Sequence, residues 1–216
     1  MLKKIKLFLS IFIFFLCTNA HTIESSWSNG VESKVRLISP YTNIDNKGSI
    51  YLGLQYKLQG GWKTYWKSPG DGGFPQNINW NSSINIKNFE ILWPTPNEFN
   101  ILGLKSLGYQ NEVIFPIKLS IIDLSKEIKI ILDINYLVCK DICIPGNAKL
   151  SLVIPPGKAN TTKYFFDIEK SLSQVPNKNL NISDIEEIIA KAYLYNNDVS
   201  IIINAKSKNK FINPKF

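Results

Sequence analysis

Between Glu127 and Val138 the chain reads EIKIILDINYLV, and every second position in it is apolar. Ile128, Ile130, Leu132, Ile134, Tyr136 and Val138 share one side, while Lys129, Asp133 and Asn135 take the other. A period of two belongs to a half-buried strand, because successive side chains on extended backbone point to opposite faces. The same period aligns Ile50, Leu52, Leu54, Tyr56 and Leu58 in SIYLGLQYKL, and Ala148, Leu150, Leu152 and Ile154 further on. EVIFPIKLSII is another extended run. From Val31 to Ile154 such runs are broken by Gly, Pro and Asn clusters, with almost no helical periodicity. The pattern predicts an all-β fold, an antiparallel sandwich.

The first twenty residues, MLKKIKLFLSIFIFFLCTNA, are of a different kind. Lys3, Lys4 and Lys6 precede an apolar stretch from Leu7 to Cys17, and Thr18-Asn19-Ala20 supplies the small residues that a signal peptidase reads. Eleven apolar residues fall short of the roughly 20 needed for a membrane-spanning helix. The expectation is an export signal cleaved after Ala20, leaving no membrane span in the mature chain. Loss of the three lysines lowers the formal net charge from +8 to +5, spread without a dense basic block. That is a solvated basic surface rather than a nucleic-acid site.

Residues 162–176, TKYFFDIEKSLSQVP, read as a short helix stopped by Pro176. Ser183-Asp184-Ile185-Glu186 resembles a capping box opening a second helix through about Lys191, and AYLYNNDVSIIINAKS reads as a hairpin around Asn196-Asn197-Asp198. One hairpin is not a stable domain by itself. The expected organisation is a signal over residues 1–20, a sandwich over 21–157, and a helical linker with the start of a truncated second β-domain over 158–216.

Of three cysteines, Cys17 leaves with the signal, so Cys139 and Cys143 have only each other as intramolecular partners. Export places them where disulfides persist. Residues four apart in a straight strand are separated by about 13 Å, whereas a disulfide needs α-carbons roughly 4.4–6.8 Å apart. The chain must therefore turn within CKDIC, with Lys140-Asp141-Ile142 at the tip and Pro145-Gly146 adding a second bend. This puts both sulfurs at an exposed loop end. So small a loop gains little as an entropic staple, and tight loops tend to be reducible. The spacing leaves three readings open: a redox pair, a local crosslink in a non-catalytic interaction sandwich, or soft thiolates for Cu(I) with His21 as the only other soft ligand of the mature chain.

YLVCKDICIPGNAKLSL, together with GWKTYWKSPGDGGFP (61–75), ILWPTPNEF (91–99) and LGYQNEVIFPI (107–117), resembles the amino-terminal periplasmic domain of the disulfide reductase DsbD, in its ScsB-like variety. The resemblance covers residues from about 27 to 157. It implies an immunoglobulin-like antiparallel β-sandwich, no cofactor or bound metal, and a component of a protein-disulfide reductase system in the periplasm. Cys139 and Cys143 match the redox pair, and Cys143-Ile144-Pro145 matches the family's cysteine followed two residues later by proline. By that match Cys143 is attacked in the mixed disulfide and Cys139 resolves it. The implied partners are thioredoxin-like or disulfide isomerase proteins and a separate inner-membrane electron donor, since this sequence has neither a transmembrane reductase segment nor a C-x-x-C. The C-x3-C spacing is shorter than that of the best-known DsbD domain.

Trp62, Tyr65 and Trp66 read as core aromatics, because large rings dominate sandwich interiors. The resemblance implies that SPGDGGFP forms a loop that shields the sulfurs until a partner docks, with Asp71 and Phe74 contributing. Lys140 would lower the pKa of a neighbouring thiol and Asp141 would oppose it.

Overall fold

The computed structural model describes residues 23–45, 48–101, 103–176, 185–196 and 198–210. The export signal, Cys17, Ala20, His21, Ser183, Asp184 and Asn197 lie outside the described residues. The chain divides after Val175 into two compact units.

The first unit is the predicted sandwich, and all its strand pairings are antiparallel. One sheet orders β1 (Ser33–Ile38), β2 (Ser49–Leu58), β8 (Glu112–Ile121) and β5 (Ile86–Ile91). The other orders β10 (Cys143–Ile154), β9 (Ile128–Cys139), β3 (Lys63–Gly70), β7 (Leu104–Gln110) and β6 (Asn97–Ile101), and β4 (Asn77–Asn79) also pairs with β9. The alternating residues of β2, β9 and β10 read from the sequence all lie in the core between the sheets. Phe115 is at the centre of an aromatic cluster, with the rings of Tyr109, Trp93 and Tyr56 at 5.0, 5.1 and 5.5 Å, each edge-on.

The core tyrosines keep their hydroxyls satisfied. Tyr109 donates to the Pro94 carbonyl at 2.7 Å, Tyr56 donates to Gln76, and Tyr136 shares a 2.9 Å hydrogen bond with Ser33. Burial holds the pKa values of Tyr56 and Tyr109 well above the usual phenol range. Above about pH 10 the unfolded chain therefore gives up phenolic protons that the folded chain retains. Unfolding then becomes easier as pH rises, by about 1 kcal/mol per tyrosine at pH 11, with no change from this source near neutrality. Urea titrations at pH 8 and pH 11 measure the difference, and Tyr109→Phe should reduce it.

Pro145 and Gly146 do not form the expected bend. They lie inside β10, opposite Leu137 and Tyr136 of β9. The reason is packing: a Cβ on Gly146 would come within 2.4 Å of Tyr136 Cζ, so the glycine lets the tyrosine ring cross the neighbouring strand. Gly146→Val should displace that ring and destabilise the domain by about 2 kcal/mol, read as a lower urea midpoint.

The single helix of the described residues, α1 (Phe165–Ser173), packs on the outer side of the first sheet. Ile168 and Tyr164 bury against Ile38, and the Ser171 hydroxyl donates to the Ile114 carbonyl. Gly53 of β2 makes the approach feasible, since a Cβ there would meet side-chain atoms of Ile38, Ile114 and Ile168 at 2.8, 2.9 and 3.1 Å.

In the second unit, β11 (Ile185–Tyr195) and β12 (Asp198–Ser207) form the expected hairpin. The helix expected through Lys191 is instead β11. Ile188, Ala190, Ala192 and Leu194 stand opposite Ala205, Ile203, Ile201 and Val199, so one face of the ribbon is wholly apolar. Pairing with the β-branched run Ile201-Ile202-Ile203 overrides the local capping signal.

Candidate functional site: a cross-strand cysteine pair

β9 and β10 are joined by Lys140, Asp141 and Ile142, and the turn is closed by a hydrogen bond from the Lys140 amide to the Ile142 carbonyl at 3.0 Å. Cys139 and Cys143 are thereby directly opposed, with α-carbons 4.1 Å apart, and they form a disulfide. The two sulfurs have unequal environments. Cys139 is 0% exposed, whereas Cys143 is exposed.

The pair lies on the outer face of the second sheet, because Cys139 has the parity opposite to the core residues Tyr136 and Val138. Cys139 is buried there in a small cluster of its own with Tyr65, packed by Phe99 and Leu137. β3 runs alongside, and Lys63 stands opposite Cys139. The Lys63 ammonium lies 5.5 Å from the Phe99 ring centroid, a cation–π distance. Thr64 donates its hydroxyl to the Leu137 carbonyl at 3.2 Å, fixing β3 against β9 next to the site.

Tyr65 links the disulfide to the glycine-rich loop. Its hydroxyl is 3.9 Å from Cys143 Sγ and donates to the Gly72 carbonyl at 3.2 Å. Burial raises its pKa above the usual phenol value, so near neutrality it stands beside Cys143 as a neutral hydroxyl. The loop packs closely over the ring: a Cβ on Gly73 would come within 2.4 Å of Tyr65 Cδ1. Asp71 and Phe74 both point to solvent, Phe74 at 71% exposure. Lys140 and Asp141 are exposed at the tip, and the stem of Lys140 runs beside Gly61. Ile142 at the tip and Leu104 of β7 are also exposed apolar residues. Among the described residues no group of three or more His, Cys, Asp or Glu side chains is arranged to hold a metal ion.

Of the three aromatics read as core, Trp62 lies in the core and Trp66 packs against it, but Tyr65 belongs to the cysteine cluster. The signal was available: three residues after the core-facing Trp62, strand alternation places Tyr65 on the other face. Leu137, two residues before Cys139 on the same strand, shares its face by the same alternation, whereas Phe99 and Lys63 carry no such mark in the sequence, since their proximity depends on the strand order β9-β3-β7-β6.

No curated protein matches the chain. The N-terminal periplasmic domain of ScsB from Proteus mirabilis has a similar structure, with a TM-score of 0.60 and 22% identity over 87% of this chain and 86% of that one. The N-terminal domain of Neisseria meningitidis DsbD in its reduced form aligns at 11% identity and a TM-score of 0.30, over 67% of this chain and 91% of that one. The family described as "Thiol:disulfide interchange protein DsbD, N-terminal" matches residues 34–155. That match spans more than half of the sequence, and the chain belongs to the DsbD N-terminal domain family.

Proposed function

We propose that the protein is a periplasmic thiol-disulfide exchange module that carries electrons through Cys139 and Cys143, between a separate inner-membrane reductase and thioredoxin-like or disulfide isomerase proteins. Family membership and the Cys139–Cys143 disulfide support exchange chemistry as such. The observation that carries the finer reading is the asymmetry of the pair, with Cys143 exposed and Cys139 buried behind it. An incoming thiolate reaches Cys143, and Cys139 leaves but remains close enough to resolve the mixed disulfide. Tyr65 is the positioning residue: the Gly72 carbonyl holds its hydroxyl beside Cys143. Asp71 and Phe74 on that loop, with Lys140 and Asp141 at the tip, form the rim that a partner meets. No helix of the described residues is long and apolar enough to cross a membrane.

The reduction potential, measured against glutathione or dithiothreitol buffers, tests this reading. An exchange pair should equilibrate well above about −300 mV, the range below which structural disulfides resist the glutathione pool. A potential below that value would make Cys139–Cys143 an inert crosslink.

A further inference from the structure

The side from which a partner reaches Cys143 follows from the sheet. In an antiparallel ladder, opposed residues with α-carbons about 4.5 Å apart are non-hydrogen-bonded pairs, and hydrogen-bonded pairs are about 5.5 Å apart. The Cys139–Cys143 separation of 4.1 Å therefore marks a non-hydrogen-bonded pair. The backbone N–H and C=O of Cys143 point away from β9, as do the carbonyl of Pro145 and both groups of Asn147, Lys149 and Ser151. β10 is the last strand of its sheet, and among the described residues no strand pairs with this outer edge. The side chains of the same five residues are exposed on the outer face of the sheet.

The disulfide itself spans from β9 to β10. Exchange requires the nucleophile to approach in line with the S–S bond, on the side opposite the leaving sulfur. For attack on Cys143 the leaving sulfur is Cys139 on β9, so the line of approach crosses the open edge of β10. For attack on Cys139 it crosses β3, where Lys63 and Tyr65 are packed. The accessible trajectory and the unpaired backbone row therefore lie on one side.

The geometry points to docking by strand addition: a thiol-bearing partner protein lays an extended segment along the outer edge of β10 and pairs with its backbone while its thiolate attacks Cys143. The inference rests on the exchange function proposed above. In the step itself the partner sulfur bonds to Cys143 Sγ, the Cys139–Cys143 bond breaks, and Cys139 departs with the electron pair as a thiolate. A second thiol of the partner then attacks the partner's own sulfur in the mixed disulfide and releases Cys143 as a thiolate. Two electrons pass from the dithiol to this domain. Pro145 gives the row its register, since it offers a carbonyl but no N–H. A segment pairs on either side of it, and indiscriminate edge pairing is discouraged.

The test uses the full mature chain carrying Cys139→Ala, which leaves Cys143 as its only thiol. The probes, each supplied as its symmetric disulfide so that exchange with the Cys143 thiol releases one probe thiol, are a capped nine-residue peptide with a central cysteine among threonine and valine residues, two versions of it N-methylated on alternate sets of amides, and glutathione. Mixed-disulfide equilibrium constants are measured for each probe, with amide hydrogen exchange in the adducts. Strand addition predicts that methylating one set of amides weakens the adduct about tenfold, the loss of one or two backbone hydrogen bonds, and that methylating the other set does not. It also predicts slowed exchange at Cys143 and Asn147. Equal constants for both methylated peptides, with unchanged exchange at those amides, would overturn strand addition while leaving the redox function standing. Failure of every probe, glutathione included, to form an adduct would overturn both.

Discussion

Replacing Cys139 with serine is expected to convert the domain into a trap. Cys143 is exposed and keeps its place at the hairpin tip, so the Cys139→Ser chain should form a covalent complex with its physiological partner, released by reductant. The reciprocal Cys143→Ser variant should trap little, because Cys139 is fully buried beneath Tyr65, Phe99 and Leu137. Both variants should lose catalysed exchange down to the uncatalysed background, since each lacks the second thiol. Non-reducing electrophoresis of periplasmic extract, followed by identification of the captured protein, gives the answer. Trapping in the opposite order would reverse the roles of the two sulfurs. Trapping by neither would remove exchange as the function. Both variants should remain folded, because a disulfide closing so few residues constrains the unfolded chain little.

Phe115→Ala is expected to have the largest effect on stability. The side chain is fully buried and central to a cluster in which Tyr56, Trp93 and Tyr109 all pack edge-on against its ring. Removing it loses the transfer energy of the ring, the aromatic contacts and the packing of three further rings that cannot collapse into the space. A loss of about 3–5 kcal/mol is expected. It should appear as a lower urea midpoint without a large change in slope. A loss below about 1 kcal/mol would mean that the cluster repacks and is not the rigid centre described here.

The strands were legible in the sequence wherever one face met the core and the other met solvent. β2, β9 and β10 carry apolar residues at period two, and every residue that the alternation selects lies in the core. The reading failed where a local pattern competed with a partner distant in sequence. Ile185 and Glu186 fit a helix start, but the ladder that pairs Ile185 with Ser207 and Glu187 with Lys206 makes the segment a strand. Pro145-Gly146 has the composition of a turn, but the glycine serves Tyr136 on the next strand. For the site, the spacing within CKDIC was enough to require a turn, and the turn is there. What the spacing could not show was the inequality of the two sulfurs. The burial of Cys139 is created by Tyr65 and Phe99, which lie on other strands.

The cysteine cluster is separate from the main core, on the opposite face of the same sheet. Neither sulfur belongs to the cluster around Phe115 and Tyr56. A protein that distinguishes the oxidised from the reduced form meets the difference first at the hairpin tip, where Cys143 is exposed.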